Sequence, residues 1–207
     1  MTQGSFDKAV EAFTASIENE SYKEDAIYNR AVCYMSEGSY DKAIADYTSY
    51  IDERAAAAQA AKGEEDEAAE PINTVDLATY YRGVCYLSAE EYSKAAEDFT
   101  TCMENNVAEE DSLFNRGLSY LQGEEFEASV EDFTACIEKG ISVDEAHFYR
   151  SYAYRYLEQN EQALEDLTAC IENEYNLAQS YYQRAQVYND LGDNDRYVED
   201  LEASLAY

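Results

Sequence analysis

A period of thirty-four residues runs through this chain and restricts its fold more than any other feature. The segments AFTASIE, DYTSYID, DFTTCME, DFTACIE, DLTACIE and DLEASLA place the anchors Phe13, Tyr47, Phe99, Phe133, Leu167 and Leu201 at intervals of 34, with one interval of 52. Arg30, Arg82, Arg116, Arg150 and Arg184 show the same intervals, so the anomaly is one insertion of 18 residues after the first full repeat. A period in this range marks stacked supersecondary units, none of which can bury its apolar face alone.

Within each unit the apolar residues recur at intervals of three and four, as in Tyr80, Gly83, Val84 and Leu87 and then Tyr92, Ala95, Ala96, Phe99 and Met103. That spacing lines one face of a helix and does not fit the alternation of a strand. Breaks such as Ser36-Glu37-Gly38-Ser39 and Leu191-Gly192-Asp193-Asn194 separate the two stripes. Each unit is therefore expected to be an antiparallel helix hairpin. The spacing predicts a single all-α domain over 1–207, with hairpins at about 24–53, 76–105, 110–139, 144–173 and 178–207, a lone second helix at 4–20 and an insertion at 54–71. A half-repeat leaves an apolar side uncovered. The expectation is that the chain is a fragment of a longer protein, or that its end, with Leu201, Leu205 and Tyr207, pairs with something.

The unit resembles the tetratricopeptide repeat, whose pattern is W-x2-L-G-x2-Y followed by A-x3-F. The small residue is Ala31, Gly83, Gly117, Ser151 and Ala185, and three residues later stands Tyr34, Tyr86, Tyr120, Tyr154 and Tyr188. The second-helix alanine is Ala9, Ala43, Ala95 and Ala163, with Ser129 and Tyr197 in the remaining repeats. The chain departs from the pattern in having no Trp, Arg at the Leu position and no closing Pro. The resemblance implies a right-handed superhelical α-solenoid of about eleven helices, five full repeats and an N-terminal half-repeat.

Charge narrows the partners. Fourteen Lys and Arg stand against 45 Asp and Glu, a net charge of −31. Nucleic acid, bound largely through Lys and Arg on phosphates, is repelled, and an anionic membrane surface is disfavoured. Partners drawn by long-range attraction are expected to be basic. Disorder does not follow from the charge, because 46% of the residues are hydrophobic and 14% aromatic, enough to build a core. No apolar run reaches the 18 or so residues of a membrane span. The sequence assigns no compartment.

Arg at the Leu position faces the hairpin interior and needs a partner. An Asp follows each one by sixteen residues: Arg30 and Asp46, Arg82 and Asp98, Arg116 and Asp132, Arg150 and Asp166, Arg184 and Asp200. In an antiparallel hairpin those positions lie at one height, so five intra-repeat ion pairs are expected. In the half-repeat, whose arginine helix is missing, the Asp position holds Ala12. The other reading is an arginine series that contacts an acidic ligand.

Cys33 and Cys85 fall in first helices and Cys102, Cys136 and Cys170, spaced by 34, in second helices, an arrangement that suits buried small residues and neither a metal cluster nor disulfides. The single histidine, His147, takes a position held elsewhere by Ile27, Thr79, Leu113 and Tyr181, which reads as packing. No phosphate loop, H-E-x-x-H or G-x-S-x-G is present, and neither catalysis nor a cofactor or metal is expected. The insertion from Arg54 to Pro71 predicts that the preceding helix runs on to about Lys62, stops at Gly63 and gives way to an acidic loop at 64–70. A projection that repels or docks a basic surface fits that loop better than a calcium site, for which the ligand spacing is absent.

The resemblance also implies a concave groove lined by first helices. Carried over by position, it would present Tyr28, Tyr80, Phe114, Phe148 and Tyr182, beside them Val32, Val84, Leu118 and Tyr152, and farther along Leu87 and Leu121. The competing reading is that these aromatics pack between adjacent first helices. Lys and Asn that clamp a C-terminal carboxylate in some relatives are replaced here by aromatic or apolar residues. The expected function is therefore a non-enzymatic interaction module holding a peptide or helix with apolar anchors and basic flanks. The alternative is a structural spacer, or a self-associating segment of a larger protein, with an empty groove.

Overall fold

In the computed structural model, which describes residues 3–61 and 74–207, eleven helices and no strand occur among the described residues. They are α1 (Gln3–Glu18), α2 (Lys23–Ser36), α3 (Tyr40–Ala61), α4 (Thr74–Ser88), α5 (Tyr92–Glu104), α6 (Glu109–Gln122), α7 (Phe126–Lys139), α8 (Val143–Tyr156), α9 (Asn160–Glu172), α10 (Leu177–Asp190) and α11 (Asn194–Ser204). The α3 helix outruns the other second helices and carries the alanine-rich start of the insertion, as expected of the best helix former. The expected stop at Gly63 and the acidic loop lie outside the described residues.

The chain divides into two compact units, Met1–Ser112 and Leu113–Tyr207, the boundary falling inside α6. In the first, α1 packs on α2, α2 on α3, α3 on α4 and α4 on α5. Its core holds Tyr47, Phe99, Ala31, Ala43, Ala95, Cys85 and Cys102, all fully buried. In the second unit α7 packs on α8, α8 on α9, α9 on α10 and α10 on α11. Phe133, Leu167, Val187, Cys136 and Cys170 fill that core. Each unit is a run of stacked antiparallel helix hairpins.

The small first-helix residue packs against the second-helix anchor. A Cβ built on Gly83 would lie 3.0 Å from Phe99 Cε1, and one on Gly117 3.1 Å from Phe133 Cε1. At the equivalent positions Ser151 stands opposite Leu167 and Ala31 opposite Tyr47, all buried. Tight turns close the hairpins. In the Glu90 turn, the N–H of Glu91 donates to Tyr86 O and that of Glu90 to Leu87 O, the two bonds that satisfy a helix C-terminus. The left-handed residue there is Gly38, Glu90, Glu124, Glu158 or Gly192, so only two of the five turns use the residue that adopts this backbone without strain.

Candidate partner-binding face

The recurring Arg and Asp residues form one motif. Arg30 donates from Nε to Asp46 Oδ2 at 2.7 Å and from Nη2 to Oδ1 at 2.8 Å. The same fork joins Arg82 to Asp98, Arg116 to Asp132, Arg150 to Asp166 and Arg184 to Asp200. All five aspartates are buried. These hydrogen bonds raise the pKa of Arg30, Arg82, Arg116 and Arg184 above the usual guanidinium value.

A third hydrogen bond from the guanidinium reaches back one helix. Nη1 of Arg30, Arg82, Arg150 and Arg184 donates to Thr14, Thr48, Thr134 and Thr168 respectively. The α1 helix thus supplies Thr14 to Arg30, and holds Ala12 at the position that is Asp in the other second helices. The repeated tyrosine one turn on is also explained. Arg30, Arg82, Arg116 and Arg150 lie 5.9, 5.8, 5.8 and 5.4 Å from the ring centroids of Tyr34, Tyr86, Tyr120 and Tyr154, within cation–π range.

His147 belongs to this motif, which its reading as a packing residue missed. Its Nδ1 lies 2.6 Å from Asp166 Oδ1, so the carboxylate that takes the Arg150 fork also meets an imidazole. The five cysteines are free and buried. Cys102 Sγ donates to Asp76 O and Cys170 Sγ to Asp144 O, equivalent first-turn carbonyls of α4 and α8. Burial pushes the thiols of Cys85, Cys102 and Cys170 up to about 12 and that of Cys136 to about 11. At neutral pH they are protonated and poor nucleophiles. Among the described residues no three His, Cys, Asp or Glu side chains are grouped to hold a metal ion.

The residues assigned to a groove divide by environment. In the first unit Tyr28 sets its edge against Tyr47 at 5.7 Å and tilts onto Tyr50, and Tyr80 meets Phe99 at 5.8 Å. Val32, Val84 and Leu87 are half-buried. In the second unit Phe114 lies edge-on to Phe133 and Tyr149, and Leu118 is half-buried. Phe148 is 5% exposed, enclosed by Tyr149, Tyr152 and Tyr175, and Leu121 is 8% exposed. The Phe148 ring therefore packs within the unit and presents no surface to a ligand. Tyr182 is 42% exposed.

Two cavities open on the first-helix face of the second unit. One, of about 900 Å³, is lined by Tyr152, Arg155, Tyr156, Glu158, Asn160, Tyr182, Gln183, Gln186 and Asp190. The other, of about 500 Å³, is lined by Leu121, Gln122, Glu124, Phe126, Tyr149, Tyr152 and Tyr156. Both volumes suit a ligand site, and Tyr152 and Tyr156, one turn apart on α8, belong to both. The structure thus gathers Leu121, Tyr152 and Tyr182 of the sequence-assigned residues around Tyr156, which sequence reasoning missed. Tyr156 is 67% exposed and stacks on Phe126 at 4.6 Å with an interplanar angle of 6°. Its equivalents in the other repeats, Ser36, Ser88, Gln122 and Asp190, are polar, so the only signal was a single departure from the period.

An all-α chain of stacked hairpins with open cavities on its first helices is a helical-repeat protein of the kind that binds other chains. The chain belongs to the tetratricopeptide repeat family: models described as tetratricopeptide repeat match residues 1–61, 110–138 and 178–207, more than half of its length. No curated protein matches the sequence. Solved structures share the fold. A tetratricopeptide repeat protein from Parabacteroides merdae ATCC 43184 is 19% identical with a TM-score of 0.71, over 99% of this chain and 74% of that one. YrrB, described as a TPR protein with an unusual peptide-binding site, is 19% identical with a TM-score of 0.66, over 95% of this chain and 92% of its own. MamA from Desulfovibrio magneticus RS-1 is 12% identical with a TM-score of 0.71, over 88% and 93%. No described helix is long and apolar enough to cross a membrane.

Proposed function

We propose that this protein is a non-enzymatic interaction module that binds a peptide or helix with apolar anchors and basic flanks on the first-helix face of α6, α8 and α10. The carrying observation is the pair of adjoining cavities around Tyr152 and Tyr156, partly apolar and open, in a chain of net charge −31. Exposed aromatic surface rimmed by charge commonly marks a binding site, and the negative field selects a basic partner. The peptide-binding site ascribed to YrrB, on a similar fold, supports the reading.

Photo-crosslinking tests it. Benzoylphenylalanine placed at Tyr182 should form salt-sensitive adducts in lysate of the source cell, while the same probe at exposed Glu131 on α7 should not. Equal labelling at both positions, or none at Tyr182, overturns the assignment. Self-association is the second reading, favoured by the exposure of Leu205 and Tyr207. Concentration-dependent dimers in sedimentation, abolished by Leu205→Ser/Tyr207→Ser, would establish it.

A further inference from the structure

The two cavities differ in chemistry although they share a wall. The smaller sets Leu121 and Phe126 beside Tyr149, Tyr152 and Tyr156, with Gln122 and one carboxylate, Glu124, completing its lining. The larger brings Tyr152, Tyr156 and Tyr182 together with the carboxylates of Glu158 and Asp190. Aromatic faces with carboxylates beside them attract a cation, because the ring quadrupole and the full charge act in the same direction. The protein already uses this chemistry internally, setting Arg196 4.6 Å and Lys94 5.2 Å from tyrosine ring centroids. The one base in the larger cavity, Arg155, is engaged with Asp190 through Nε to Oδ2 at 2.6 Å, in a pair about one-third exposed. Such an exposed pair is held weakly and an incoming base can compete for its carboxylate.

We propose that the larger cavity receives one arginine or lysine side chain of the partner while the smaller receives an adjacent apolar one. The partner is then recognised as an apolar residue and a base at a fixed offset, with the Tyr152–Tyr156 wall between them. This deepens the proposed function and rests on it. Charge complementarity selects the occupant: the two carboxylates outnumber the single arginine locally, and the whole chain carries −31.

The experiment is selection of a random dodecapeptide phage library on the intact protein in 0.3 M salt, followed by binding of the leading synthetic peptide. The expected result is enrichment of Lys or Arg at one fixed offset from an apolar residue. Replacing that base by neutral citrulline should weaken binding at least tenfold. Glu158→Gln/Asp190→Asn should weaken the basic peptide to a similar extent and leave the citrulline peptide unchanged. The control Glu127→Gln/Glu131→Gln on α7, which removes the same charge elsewhere, should move neither. Apolar peptides without a fixed base, acidic peptides, or equal loss in the control variant overturn the cationic socket while leaving the binding face standing. Failure to enrich any peptide overturns both.

Discussion

Arg82 on α4 donates to both carboxylate oxygens of Asp98 on α5, at 2.8 and 2.7 Å, and its third hydrogen bond goes to Thr48 on α3 at 3.3 Å. One guanidinium therefore ties three helices. The side chains are 18% and 8% exposed, so breaking the pair leaves a mostly buried charge uncompensated. Arg82→Ala is expected to cost about 3–5 kcal/mol of unfolding free energy. Thr48→Val, which keeps the shape and removes the acceptor, should cost about 1–2 kcal/mol. Arg82→Met/Asp98→Leu should be more stable than Arg82→Met alone. Urea titrations of the four proteins check the order, and an Arg82→Ala cost of the size of a surface mutation would remove the motif from any account of stability.

The hairpin turns offer a pair of opposite substitutions at one repeat position. Gly38 has φ +75° with nothing within 4 Å of a built Cβ, so Gly38→Ala meets only backbone strain. It should destabilise by about 1 kcal/mol. Glu90 adopts φ 62° at the equivalent site, and Glu90→Gly should relieve that strain and stabilise by up to about 1 kcal/mol. Thermal melts of the two variants should move in opposite directions.

Gly83 tests the packing rule at the small position. Alanine there gains about 1 kcal/mol of helix propensity, but its Cβ would stand 3.0 Å from Phe99 Cε1. Overpacking of a filled core costs about 1–3 kcal/mol, and Phe99 is fully buried with little room to move. Gly83→Ala is expected to be destabilising. Adding Phe99→Leu, the combination that Ser151 and Leu167 already approximate, should recover part of the loss in a double-mutant cycle.

The helices were legible because both stripes of every hairpin repeat, so each position is read several times. The Arg–Asp spacing was visible for the same reason, since it recurs at sixteen residues in five repeats. The cavity was not. Its centre, Tyr156, departs from the period, and its stacking partner Phe126 begins a different helix. The burial of Phe148 also depends on Tyr152 and Tyr175, whose equivalents in other repeats are not aromatic throughout. Periodicity identifies what the repeats have in common, while a binding face is built from what one repeat does differently. His147 on Asp166 shows the same limit, being a single residue without a series to reveal it.

Alkaline pH should weaken the fold through the thiols. Burial holds Cys85, Cys102 and Cys170 at about 12 and Cys136 at about 11, against an ordinary value of 9.0 that the unfolded chain regains. Above pH 9 the unfolded state releases these protons while the folded state keeps them, so stability is complete below pH 9 and falls as pH rises toward 11–12. Each thiol contributes a slope of about 1.4 kcal/mol per pH unit in that window. Cys102→Ala should start from a lower melting temperature and decline less steeply between pH 9 and 11. Tyrosines titrate in the same range, and the difference between the two proteins isolates the single thiol. Iodoacetamide should label the native thiols at pH 8 far more slowly than those in urea, with the native rate following unfolding. Equal slopes in the two proteins, together with native labelling as fast as in urea, would place these cysteines at the surface.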